Sequence, residues 1–283
     1  MEILPHLLQQ LQISLSPLLL ILFTCLTILY LHHDYHQFLS LGPGGTPSTP
    51  LGYFKIKLLS LVSLRDPLHP LPIPPHFRPQ SGYLTSLPLR KGARPTVAGI
   101  APQRQRTQTS PPHVYARLAL VLRALTIDPR NALQSRTSCF EKHSVGLFAA
   151  TPITRTCGGE VCHAHPSDGS MHIVLHPADA KLVLEQGWGE RHPLARGGWF
   201  RRFVPREFVL VYAARGEGDV DVIVGIVRAG VWWVSGVDVA GRGRDREVQE
   251  GKGKGGEREK ECWACRVHGC GGKGKVEQMV GDA

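Results

Sequence analysis

At 283 residues with 42% hydrophobic content, the chain is long enough for one globular core plus extensions and is not composed like a disordered one. Its formal charge of +10 is spread through loops without zinc-finger, RRM or homeodomain spacing, which argues against nucleic acid and leaves an anionic membrane surface as the better partner for the basic balance. Seven cysteines, an odd number in so long a chain, exclude a disulfide framework and fit a reducing compartment.

The first element is apolar. Ile13 to Leu31 carries no charged residue, and Leu18 to Tyr30 is hydrophobic enough for a membrane helix of about 20 residues, with Pro17 expected to mark its start. A cleaved signal would need a basic first segment and a small-residue cleavage site, and the early charge is Glu2. Residues 1–34 are therefore read as a retained, single-pass anchor. Lys55, Lys57 and Arg65 follow it, whereas no lysine or arginine precedes it, so the main domain is expected in the cytosol on an endomembrane.

Residues 35–110 read as an interfacial helix and a linker. Leu51 to Leu64, interrupted by Lys55 and Lys57, suits a helix lying at the membrane surface or packing on the core. Leu68 to Pro79 is crowded with proline, which blocks helix and central strand and leaves a linker or a wrapped arm. The basic stretch Arg90 to Arg106 reads as a solvated loop or a grip for an anionic substrate or lipid headgroup.

The soluble domain is expected over 111–236. Val114, Leu118, Val121, Leu122 and Leu125 recur at helical spacing between Pro111 and Thr126. Thr137 to Phe148 reads as a strand ending near Pro152. In Glu160-Val-Cys-His163-Ala-His165 the two histidines project together from one face of a strand while Val161 and Ala164 fill the other. After the turn Pro166 to Ser170, Met171 to Leu175 reads as a strand that brings His172 opposite them. Pro177 to Gln186 is a short helix stopped by Gly187, with His176 as an exposed residue at its start. It leads into Gly187-Trp-Gly-Glu-Arg-His192-Pro-Leu, where Glu190 and Arg191 could form an ion pair at a turn. Glu207 to Tyr212 reads as a buried strand, and Asp219 to Val234 as a helix despite the low helix propensity of its valines and glycines.

Beyond Gly236 the composition turns to glycine, lysine and glutamate, so 237–283 is expected to be disordered. Cys262-Trp-Ala-Cys265-Arg-Val-His268-Gly-Cys270 contains zinc-type ligands, but a single knuckle in glycine-rich sequence lacks the partner a structural site needs. The fold class is α+β, an antiparallel sheet with helices on one face behind a single N-terminal transmembrane helix.

Glu-x-x-His163-x-His165, His172 on the next strand, the Trp188 to Leu194 motif and Val211-Tyr-Ala-Ala-Arg215 come in one order. Upstream stand Asp34-Tyr35-His-Gln-Phe38, Leu87-Pro88-Leu-Arg90 to Pro95 and Gln103-Arg104-Gln105-Arg106-Thr107-Gln108. Together they resemble the fungal luciferase family over about Asp34 to Trp233. The pattern departs from luminous members at Ala214, where they have proline before the arginine, and the tail has no counterpart.

The resemblance implies a cofactor-independent, luciferase-type monooxygenase. It would oxidise a hydroxylated α-pyrone of the 3-hydroxyhispidin type, or a related polyketide, with O2 as co-substrate, through a peroxide that loses carbon dioxide, with or without light. In that chemistry His163 or His165 is the base, His172 its partner, and Arg191 with His192 stabilise the anion. Glu160, Trp188, Glu190 and His143 complete the candidate substrate site. Two other readings stand beside it. His163, His165 and Glu160 or Glu141 form the ligand set of a non-haem metal centre, although no metal is expected from the resemblance. A membrane-tethered binding or scaffold domain would keep the same fold without turnover.

Overall fold

The computed structural model of the chain describes residues 3–75 and 77–239. Helix α1 (Ile3–Leu39) begins well before Pro17 and runs through it, rather than starting there. Its part from Pro17 to Leu39, 23 residues with mean hydropathy 1.5, is long and apolar enough to cross a membrane, and its leucines and isoleucines between 18 and 31 are exposed. Where α1 ends, Asp34 accepts a hydrogen bond from Tyr53 Oη at 2.5 Å and pairs with Lys57, fixing it to α2 (Pro50–Ser60). Thr49 caps α2 by accepting from the Gly52 N–H.

The expected linker is part of the folded body. Phe38, Ile56 and Ile100 belong to the same apolar core as the sheet. The proline-rich stretch is a wrapped arm: Arg191 Nη1 donates to the His69 carbonyl at 3.4 Å, and His176 Nε2 lies 3.0 Å from the Pro79 carbonyl. The basic stretch is not a solvated loop either. Arg90, Gln103, Arg104 and Gln105 are buried, and a small hairpin, β1 (Val97–Gly99) with β2 (Gln103–Gln105), carries three of them.

The main sheet is antiparallel throughout. Its strands are β3 (Leu133–Thr137), β4 (Val145–Ala149), β5 (Glu160–Ala164), β6 (Met171–Val174), β7 (Gly189–Arg191) and β8 (Phe208–Val211), in the order β3-β4-β5-β6-β8-β7. The expected single strand from Thr137 to Phe148 is instead the end of β3 and all of β4, separated by a turn from Ser138 to Ser144. The Ser138 hydroxyl accepts from the N–H groups of Phe140 and Glu141, which favours the turn over an extended run.

Helices α3 (Pro112–Leu125), α4 (Pro177–Glu185) and α5 (Glu217–Ser235) follow the sequence reading closely, and Gly187, at φ 78°, ends the α4 segment in the left-handed region. On one side of the sheet α5 packs against β4, β5 and β6 and α4 against β7, and α3 packs on α5. On the other side lie the β1–β2 hairpin and α2, whose Leu59 lines a cavity, so the helices are not all on one face.

Low intrinsic propensity does not prevent α5 from forming, because it is apolar around most of its circumference and buried by the sheet and by α3. At Gly230 helix and sheet approach so closely that a Cβ would lie 2.7 Å from Ile173 Cδ1 and 3.2 Å from Val161 Cγ1. Gly230→Val is expected to destabilise the protein by about 2 kcal/mol through overpacking. Gly225→Ala, in the same helix with open space at its Cβ, should stabilise it by up to about 1 kcal/mol. Denaturant unfolding of both variants measures the contrast.

Candidate active site

An irregularity in β5 builds the site. Gly146 pairs with His163 and Leu147 with Cys162, but Phe148 pairs with Glu160, so Val161 is an extra residue and the strand bulges there. Strict alternation would put Val161 on the His163 face. The bulge turns Val161 toward Ile173 and α5 instead, and brings Glu160 onto the histidine face three residues before His163.

Glu160 and His163 are buried and 2.7 Å apart, Oε1 to Nδ1. The carboxylate also accepts from Ser138 Oγ at 2.7 Å and from the Cys139 N–H at 2.7 Å. On the neighbouring strand His172 lies directly opposite His163. Its Nδ1 is 3.2 Å from His163 Nε2, and its Nε2 is 2.9 Å from Gln103 Oε1. Gln103 donates through Nε2 to Glu190 at 3.0 Å, and Glu190 accepts from Tyr212 Oη at 3.0 Å. One polar chain thus runs from Ser138 to Tyr212 through the middle of the protein.

Hydrogen-bond chemistry fixes the tautomers along it. An amide oxygen only accepts, so His172 carries its proton on Nε2 and presents a bare Nδ1 to His163. At the other end an N–H on His163 Nδ1 suits a carboxylate that already accepts twice. His163 Nε2 then faces the bare His172 Nδ1 across 3.2 Å, a gap that a shared proton or an ion would bridge.

His165 stands behind this pair, fully buried, with ring centroids 5.3 Å from His163 and 4.8 Å from His172. Its Nδ1 meets Ser170 Oγ at 2.9 Å, while among the described residues its buried Nε2 has no hydrogen-bond partner. Burial first, then neighbouring positive groups, push His165 and His172 well below their ordinary range. Burial lowers His192 to about 3.

His163, His172 and His192 open onto a cavity of about 660 Å³ of empty space, its mouth included. Arg104, paired with the buried Glu141, supplies a cation to its wall, and Ile100, Phe140, Leu194 and Phe208 supply apolar surface. Phe208 stacks on His172 with centroids 4.9 Å apart and planes at 17°.

The other expected site residues fall elsewhere. In β7 the alternation sends Glu190 to the histidine side and Arg191 to the α4 side, so they do not pair with each other. Arg191 donates to the carbonyls of Ala195 and His69, remote from the cavity as an anion-holding group. Trp188 lies outside the cavity wall and donates to the Pro88 carbonyl at 2.6 Å, packing the exit of α4. His143 is exposed. His176 caps α4 as expected of a helix start, but it is fully buried, with Nε2 3.0 Å from the Pro79 carbonyl. Gln103 and Arg104 come from the basic stretch expected to be a solvated loop or a grip for an anionic substrate or lipid headgroup, and their place on the cavity wall accords with the second of these; the family-like Gln-Arg-Gln-Arg motif was the available signal.

Comparison with known proteins bears directly on this arrangement. The luciferase domain family matches residues 158–230, the stretch holding β5 to α5. A luciferase of Neonothopanus nambi is 31% identical over 228 residues, 75% of this chain and 84% of that protein. The chain belongs to the fungal luciferase family. A luciferase of Armillaria gallica is 32% identical over 73% of this chain and 82% of its own length, and one of Armillaria mellea is 31% identical over 235 residues. No solved structure matches. The family segment includes all three clustered histidines, whereas Gln103, Arg104 and Glu141 lie before it and come to the site by folding.

Because His165, His172 and His192 are held neutral, the unfolded chain binds more protons once pH falls below about 6.5. Stability is expected to be level above that value and to fall below it by up to about 1.4 kcal/mol per pH unit for each such histidine. Denaturant titrations across this range measure the slope; a level profile down to about pH 5 would contradict the assignment.

Proposed function

We propose that this luciferase-family protein is a membrane-anchored oxygenase that oxidises a hydroxylated α-pyrone, or a related enolic polyketide, with O2. The observation that carries the reading is the cavity itself, whose lining combines apolar and aromatic side chains with Arg104 and the His163–His172 pair. A flat pyrone bound there would lay its rings on the apolar lining and turn its enol oxygen toward Arg104 and the histidines. There the enolate is favoured over the enol, and the electron-rich anion is the form that O2 can oxidise. The new peroxide's negative oxygen is held by the same cations, and the apolar wall keeps water from the intermediate.

Within the cluster, His163 is the group placed to take the enol proton, on the Nε2 that faces His172 at 3.2 Å. His172 and Gln103 keep it oriented, and Glu160 stabilises its charge. A binding domain without turnover, the rival reading, gives no reason to bury so long a polar chain beside a cavity.

For the anchor, α1 is proposed to span an endomembrane with the main domain cytosolic. Leu51, Phe54, Leu58 and Leu61 of the α2 region are exposed, as is Trp199, which suits contact with the same bilayer surface. An apolar substrate would reach the cavity from that side.

Detergent-solubilised protein incubated with hydroxylated α-pyrones is expected to consume oxygen, whether or not light appears. Arg104→Met should lower turnover by about 10²-fold, the usual cost of removing one oxyanion donor. Undiminished uptake in that variant, or no uptake by the unsubstituted protein with any pyrone, would overturn the proposal.

A further inference from the structure

We propose that His163, His165 and His172 form a binding site for a divalent first-row transition metal, with its open coordination position facing the cavity. One ring nitrogen from each lies within 4.8 Å of the others, and all three residues are buried. The second observation is the pattern of the remaining nitrogens. Each ring already has an oxygen partner at its other end: Glu160 at 2.7 Å for His163, Ser170 at 2.9 Å for His165 and Gln103 at 2.9 Å for His172. Metal-bound histidines are held in this way, their second N–H donating to an oxygen that fixes the tautomer and the ring.

The nitrogens left over are His163 Nε2, His172 Nδ1 and His165 Nε2. The first two face each other at 3.2 Å, and the third is buried without a partner among the described residues. An ion about 2.1 Å from each of two nitrogens 3.2 Å apart would see them at about 100°, within the tetrahedral to octahedral range. It would occupy the gap between His163 Nε2 and His172 Nδ1. His165 gains the partner its Nε2 lacks, closing inward to complete the set.

Three imidazoles and no first-rank carboxylate select zinc, iron, copper or nickel over magnesium or calcium. His163 and His172 line the cavity and His165 does not, so the free side of the ion is the cavity side. Such an ion would bind an enolate oxygen directly. This departs from the metal-free expectation carried by the family resemblance, and it stands without the proposed reaction, since the site is defined by the ligands alone.

The test uses the full chain in detergent, stripped of metal by dialysis against a chelator and titrated with Co²⁺ alone. The expected result is one Co²⁺ per chain with visible d–d absorption and a raised melting temperature. His165→Ala is expected to abolish the spectrum. If that variant fails to fold, Ser170→Ala, which removes only the outer partner, decides the matter with an affinity lowered by about 10- to 100-fold. Folded protein that shows no Co²⁺ spectrum, or a Ser170→Ala variant binding Co²⁺ as tightly as the unsubstituted chain, would overturn the inference. Oxygen uptake measured on the same samples separates the two proposals: uptake by protein that shows no Co²⁺ spectrum removes the metal site and leaves the oxygenase, whereas Co²⁺ binding without pyrone oxidation in metal-replete protein does the reverse.

Discussion

A carboxylate buried in a protein is stable only where hydrogen bonds or an opposite charge replace the water it has lost. Glu160 sits in the central sheet and is almost fully buried, and everything near it is arranged to meet that demand. The turn after β3 supplies the Ser138 hydroxyl and the Cys139 N–H, and the bulge at Val161 supplies His163. Without the bulge the two side chains would point to opposite faces, and the carboxylate would be buried among the apolar groups of α5.

The histidine face inherits its order from this contact. His163 is fixed by Glu160, His172 by His163 and Gln103, and Gln103 by Glu190. The β1–β2 hairpin is consequently tied to the sheet through polar side chains, whereas the helices on the opposite face pack through an apolar core. A sheet dry on one side and polar but enclosed on the other can keep several ionisable groups in one place while leaving a cavity beside them. That combination suits chemistry on an oxidisable anion, because charge is present where the substrate's oxygen arrives and water is scarce where its intermediate forms.

Much of this was legible in the residues. The strands around Glu160 and His172, the α4 segment with its proline start and glycine stop, and α5 all follow from local pattern, as does the meeting of His163 with His172 across a hairpin. The limits of that reading are equally physical. Alternation in β7 decides that Arg191 faces away from Glu190, but which of the two joins the histidines depends on the pairing with β8, which is not local. The burial of Arg90 and Arg104 could not be seen in a basic, glycine- and proline-containing stretch, since it arises from contacts with Tyr212, Glu141 and backbone carbonyls far along the chain. The turn at Ser138 to Ser144 was hidden by flanking valine and phenylalanine that resemble a continuous strand. Residues 240–283, including the cysteine-containing segment and most of the expected disordered tail, lie outside the described residues.

The most direct test of the central claim is nitrogen NMR of the imidazole side chains in the metal-free protein, which reads the protonation of each ring nitrogen. His172 is expected to carry its proton on Nε2, facing Gln103, and His163 to carry one on Nδ1, facing Glu160. A His172 ring protonated on Nδ1, or a His163 ring whose nitrogens average freely as in water, would show that the chain from Glu160 to Gln103 does not exist as described.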